Sequence, residues 1–153
     1  MKLFKHLLFF LIINFGGLYI GNLLMNNGPQ TSWYININKA PWTPPGWVFG
    51  AAWTLIMICF SIYLAYLFIK VDSTKLKLAF ALQVVLNVSW NYVFFNQHLV
   101  AFGLVIISAL TIVLFTFFFS NFKSLKTKSY LILPYMIWLL IATSLNAFIL
   151  FNN

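Results

Sequence analysis

The side chains of this 153-residue chain that can do chemistry are indoles and amides, and they recur at helical spacing. Gln83, Asn87 and Asn91 stand at i, i+4 and i+8 with Trp90 beside them, which places them on one face of a helix. Trp138, Ala142, Leu145, Asn146 and Ile149 make a second stripe, with Thr143 and Ser144 next to it. A third runs from Trp47 through Gly50, Trp53 or Thr54, and Met57 to Ser61. Indole walls with a few amides and no charge suit a large, flat, apolar ligand and do not suit an ion.

Acid chemistry is nearly excluded. Asp72 is the single acid, so paired-carboxylate hydrolysis, carboxylate-bound metals and acidic proton relays have no second member. Cys59 lies alone in an apolar run, which removes disulfide frameworks and cysteine metal sites. His98 falls in a turn and reads as a solvated side chain, not a haem ligand; His6, beside Lys5, reads as an interfacial residue. Neither a general base nor a metal set is available.

These residues must be positioned by lipid-embedded helices. Hydrophobic residues make up 63% of the chain, aromatic residues 20% and charged ones only 7%, whereas a soluble domain carries about 25% charge. Five apolar runs, about 6–26, 46–69, 76–95, 99–121 and 130–151, each reach the ~20 residues needed to cross a bilayer. Barrel strands of ~10 alternating residues do not fit such runs. The expected fold class is therefore an all-α membrane protein, a five-transmembrane-helix bundle forming one domain over 1–153. The basic start of the first run looks like a secretory signal, but the run exceeds the ~7 to 15 residues of a signal core and stays as a helix.

Charge sets the expected orientation. Lys2, Lys5, Lys70, Lys75, Lys77, Lys123, Lys126 and Lys128 fall on one side of such a bundle and Lys39 alone on the other. The positive-inside rule then places the N-terminus inside. The lysines lie between apolar runs and form no patch interleaved with exposed aromatics, so no nucleic-acid partner is expected. On the outer face, the segment from Asn26 to Pro45 carries four prolines with Trp33, Tyr34 and Trp42. A loop of that length is commonly functional or disordered, and its aromatics predict a structured lid. Trp33, Trp42, Trp47, Trp53, Trp90 and Trp138 can all gather beneath it, while Phe115 to Phe119 reads as lipid-facing surface. Gly17-x-x-x-Gly21 is a close-approach motif, read as packing within the bundle ahead of dimerisation.

Taken in order, Trp33-Tyr34, Lys39-Ala40-Pro41-Trp42-Thr43-Pro44-Pro45, Val48-Phe49-Gly50, Trp53-Thr54, Gln83, Leu86-Asn87, Trp90, Phe94-Phe95, Leu133-Pro134-Tyr135, Trp138, Ala142-Thr143 and Leu145-Asn146 resemble the TspO/MBR family over nearly the whole chain. These are the tryptophan-rich sensory proteins, also called translocator proteins or peripheral-type benzodiazepine receptors. The resemblance implies a five-helix bundle, often a homodimer, with a pocket under the first loop that binds porphyrins such as protoporphyrin IX. By position the pocket would comprise Trp47, Trp53, Asn87, Trp90, Trp138, Ala142 and Leu145, with Trp33 and Trp42 supplied by the lid. Porphyrin is a ligand in this reading, and no cofactor or metal is required.

Some bacterial members degrade protoporphyrin in light and oxygen, so the resemblance makes Trp33 and Trp138 the catalytic pair if that reaction occurs here. The alternatives are a passive transporter or ligand-gated carrier of small hydrophobic molecules, porphyrin or lipid, and a ligand-responsive sensor or scaffold. Proton-coupled export is disfavoured because no expected span holds an acid. Two departures bear on this. Leu145-Asn146 is followed by Ala147-Phe148 with no basic residue after it, which breaks the cholesterol-recognition pattern of animal members. Thr43 stands where animal members carry a histidine. Lys39 is the one outer cation available to porphyrin propionates, and the expected location is a bacterial cell membrane, with the lipid bilayer as partner.

Overall fold

The computed structural model describes residues 1–153, and every regular element in it is helical. The long helices are α1 (Lys2–Leu24), α3 (Gly46–Lys70), α4 (Thr74–Asn91), α5 (Val100–Leu125) and α6 (Leu133–Asn152), with a short α2 (Ser32–Asn36) in the first loop. Pro45 precedes α3 and Pro134 sits in the first turn of α6, where a missing N–H goes unneeded. The Ser73 side chain accepts from the Leu76 N–H at 3.2 Å and starts α4.

Four continuous helical stretches are long and apolar enough to cross a membrane: Lys2–Gln30, Gly46–Lys70, Thr74–Asn96 and Val100–Asn152. The last, of 53 residues, would extend roughly 80 Å as one rod, far beyond ~30 Å of hydrocarbon. It folds back at a 3-10 turn, Lys126–Ile132, and α5 and α6 lie side by side.

Two boundaries differ from the sequence reading. α5 continues past 121 to Leu125, because Lys123 is a good helix former and Leu125 is buried, so the chain turns only at Lys126, which has a positive φ of 51°. Beyond Asn91 the ladder widens into a π turn, Tyr92–Asn96, which buries Phe94 and Phe95 together.

The helices close into a bundle in which α1 contacts α3 and α4, α5 contacts α4 and α6, and α3 also packs on α6. Phe60, Tyr63, Leu64, Leu110, Leu114 and Leu139 form its centre. Asn14 donates to Ser61 at 2.8 Å across α1 and α3, and the Tyr63 hydroxyl donates to the Phe117 carbonyl at 2.9 Å. Phe117 is thus core, not lipid-facing surface, and the Phe115 to Phe119 run is divided between the two because successive helical residues turn by about 100°. The Gly17-x-x-x-Gly21 motif works inside the chain: a Cβ on Gly17 would meet Val88 at 3.6 Å, and one on Gly21 would stand 2.7 Å from the Asn91 amide nitrogen. α1 and α4 therefore converge at this point.

The lysines collect at the opposite end. Lys77 pairs with Asp72 at 2.6 Å, Lys70 donates to the Ser124 carbonyl at 3.0 Å, and Lys128 sits 3.7 Å above the Tyr66 ring.

The third stripe is split. Met57 and Ser61 are buried, but Trp47, Gly50 and Thr54 are exposed, and the inward side of the first turns of α3 is held instead by Phe49 and Trp53. Thr54 donates to its own Gly50 carbonyl at 2.8 Å, so its hydroxyl needs no other helix.

Candidate functional site

The lid is built before it is docked. Asn26 and Asn27 take left-handed φ of 48° and 56°, a conformation asparagine tolerates, and lead into a 3-10 turn, Gly28–Gln30. The Thr31 side chain accepts from the Tyr34 N–H and donates to the Gly28 carbonyl, capping α2. Gly28 is required at the seat: a Cβ there would lie 2.5 Å from Phe95 Cβ.

α2 then presents Trp33 and Tyr34 to the end of α4. The Trp33 indole stacks on the His98 imidazole at 4.2 Å and 15° and meets Phe94 edge-on at 5.6 Å. Tyr34 packs on Phe95 at 5.2 Å, and burial pushes its phenol above its ordinary value, so it stays neutral. Lys39 donates to the Ile35 carbonyl at 3.0 Å and sits 5.0 Å from the Tyr34 ring centre. The far half of the loop is tied to α6. Asn38 bonds Asn152 and Asn153, and Trp42 donates from Nε1 to Ser144 Oγ at 3.1 Å while its ring meets Phe148 edge-on.

Beneath the lid, α4 and α6 run the same way and are bridged by long side chains at two levels. Nearer the lysine end, Gln83 donates to the Tyr135 hydroxyl at 3.0 Å, with Trp53 packed edge-on against Tyr135 at 5.7 Å. Nearer the lid, Trp90 Nε1 donates to Asn146 Oδ1 at 3.1 Å, and Asn146 donates onward to the Val100 carbonyl at 2.9 Å. Trp90 also stacks on Phe94 at 5.1 Å, which links this upper bridge to Trp33 in the lid. Gly103 lets α5 approach, since a Cβ there would stand 3.1 Å from Asn146 Oδ1.

Asn87 lies one turn above Gln83 and just below Trp90, level with the part of α6 between Tyr135 and Asn146, where Trp138, Ala142 and Leu145 stand. The residue is 8% exposed; Asn91 bonds its backbone carbonyl, and no side chain bonds its amide. Trp138 closes the α3 side, edge-on to Phe49 at 5.2 Å. Gln83 Oε1 is buried with no partner.

Of the residues singled out from the sequence, Trp53, Asn87, Trp90, Trp138, Ala142 and Leu145 thus frame one region between α3, α4 and α6. Trp33 reaches it through Phe94, whereas Trp42, 53% exposed, sits on Ser144 and Phe148, across α6 from Ala142 and Asn146, and is not brought to it. Trp47 stands apart, 75% exposed at the first turn of α3. Sequence reasoning missed His98, Phe49, Tyr135 and Asn146 as partners of the indoles. His98 gave no signal, because only the folded loop brings Trp33 onto it; Asn146 had one, its place on the Trp138 stripe.

The arrangement can stack a planar apolar molecule on indole and phenyl rings and offer it an unengaged amide. It offers no metal set: no group of three His, Cys, Asp or Glu side chains comes together anywhere in the chain.

The sequence profile of the TspO/MBR family matches residues 9–151. The chain is 36% identical over 149 residues to the tryptophan-rich protein TspO of Archaeoglobus fulgidus, covering 95% of this chain and 93% of that protein. It is 33% identical over 115 residues to the tryptophan-rich sensory protein of Cereibacter sphaeroides, covering 74% and 72% of the two. Its identity to the human translocator protein is 24% over 135 residues, covering 85% of this chain and 79% of that one.

Proposed function

The chain belongs to the TspO/MBR family of membrane proteins, and on that premise we propose that it binds a porphyrin-class ligand between α3, α4 and α6, under the first loop. In this reading α1, α3, α4, α5 and α6 each cross the bilayer, with the lysine-rich end inside a cell membrane and the loop outside. The observation that carries it is the Asn87 amide, which no side chain engages, set between two side-chain bridges, Gln83 to Tyr135 and Trp90 to Asn146. Gln83 Oε1, one turn away, is buried without a partner, which is costly in lipid, so a ligand N–H that reaches it gains what the protein leaves unmade.

Flat rings would stack against Trp90 and Trp138, and the lid would have to lift to admit them. Lys39 uses two of its three donors on the Ile35 and Ile37 carbonyls, which leaves one to meet a propionate at the rim. Photo-oxidative turnover is a further step of the same reading, in which Trp138 serves as the redox partner inside the site and Trp33 at its roof.

A titration of protoporphyrin IX against tryptophan emission in detergent tests the binding. Saturable quenching is expected, weakened about fivefold in Asn87→Leu, as for one lost hydrogen bond. Absence of quenching would remove porphyrin from the account. Under illumination, Trp138→Phe should keep the quenching and slow the decay of Soret absorbance; equal decay would discard the turnover and keep the receptor.

A further inference from the structure

A groove lies away from this site, between α1 and α4 at the lysine end. It has a volume of about 730 Å³ and opens sideways, toward what would be lipid. Phe10, Phe68 and Phe80 form its floor, Phe9 and Ile13 one wall, Val84 and Val85 the other, and Lys5, His6 and Lys77 its mouth.

Its shape follows from the two helices. α1 and α4 run in the same direction and touch at Gly17 and Gly21 against Val88 and Asn91. Toward the lysine end the rings of Phe10 and Phe80, 5.2 Å apart, hold them open as a wedge. Lys5 to Ile13 on one side and Lys77 to Val85 on the other each extend about 12 Å along the axis. That is close to one leaflet of a ~30 Å hydrocarbon core.

We propose that this wedge is a binding site for one anionic phospholipid, its acyl chain against the phenylalanines and its phosphate among Lys5, His6 and Lys77. Charge selects the occupant. A second copy docked here about a two-fold axis would set each basic mouth beside its like, whereas a phosphate is complementary to it. Asp72 pairs with Lys77 at 2.6 Å and offsets one charge, but Lys5 at the mouth and Lys2 and Lys75 on the neighbouring first turns of α1 and α4 leave this end net positive. His6 already donates from Nδ1 to the Lys2 carbonyl at 2.9 Å, which fixes its ring and leaves Nε2 to accept from a headgroup hydroxyl.

Native mass spectrometry of the full chain in detergent tests this with dioleoyl phosphatidylglycerol, dioleoyl phosphatidylcholine and glycerol phosphate. One phosphatidylglycerol per chain should be retained, about tenfold in preference to phosphatidylcholine, and glycerol phosphate should not be retained. Lys5→Gln with Lys77→Gln should reduce phosphatidylglycerol to the phosphatidylcholine level; should the pair fail to fold, Lys5→Gln alone carries the charge test. Ala81→Phe, which fills the groove from an exposed position, should lower retention of both lipids. Equal retention of the two lipids by the wild type, retention of glycerol phosphate alone, unchanged lipid binding in the variants, or a dimer that buries the groove and excludes lipid would overturn the proposal. Porphyrin quenching should be unaffected in all these variants, so the two sites fail or stand separately.

Discussion

At the lysine end, α3 and α4 are joined only by Val71 to Ser73, charges sit exposed, and α1 and α4 splay over phenylalanine. At the other end the residues between α1 and α3 fold into a lid, α1 and α4 meet at glycine, and polarity is supplied by amides and indoles bonded between helices. The same helices thus end in two kinds of surface. Exposed charge is held by water and tolerates change, whereas buried amides and rings fit one another or are left unpaired.

Substitutions at the two ends should therefore differ in size. Gly28→Leu should have the largest effect, about 3 kcal/mol, because its Cβ meets Phe95 at 2.5 Å and the lid cannot seat. A lowered thermal midpoint in detergent with fast amide exchange over the lid would register it; exchange confined to the lysine end would contradict the contrast. Asn146→Leu should follow at about 2 kcal/mol, since the Trp90 N–H loses its partner in a buried setting. His98→Ala should cost about 1 kcal/mol of stacking on Trp33. Its signature is local, faster exchange over α2 with the global midpoint nearly unmoved.

Asp72→Asn should be the smallest. Hydrogen bonding to Lys77 holds the Asp72 carboxyl below its ordinary value, so any contribution is complete above the ordinary carboxylate range and vanishes as pH falls through the lowered one. The group is fully exposed, and neither the substitution nor acidification to that range should move the midpoint measurably. A clear shift would mean that the lysine end is more than a solvated rim.

Much of this was legible in the residues. Run length marked the long helices, lysine placement separated the two ends, and of the α4 stripe Gln83, Asn87 and Asn91 with Trp90 beside it, Gln83 and Trp90 reach α6 while Asn91 abuts Gly21 of α1. What failed was the facing of α3. A helix that is hydrophobic all round has no polar side to point outward, so the stripe of Trp47, Gly50, Trp53 or Thr54, Met57 and Ser61 holds for Trp53, Met57 and Ser61 and fails for Trp47, Gly50 and Thr54. Thr54, Thr111 and Thr116 donate to carbonyls of their own helices. Phe49 and Tyr135 were hidden for a related reason, since in a chain this rich in aromatics only tertiary packing separates the rings that frame a site from those that meet lipid.

That division between hydroxyls and amides also sets an order of assembly. A helix whose polar side chains are satisfied by its own backbone can enter a bilayer alone, and α5, with Thr111, Thr116 and Asn121 bonded within it, is of that kind. α4 lies in the least apolar of the four stretches long enough to span, and Gln83 and Trp90 find their partners only on α6, which is made after it. Until α6 arrives, α4 carries unmet polar groups in lipid, held meanwhile by α1 through Gly17 and Gly21. The residues that would later meet a ligand are the ones that finish the insertion of the protein.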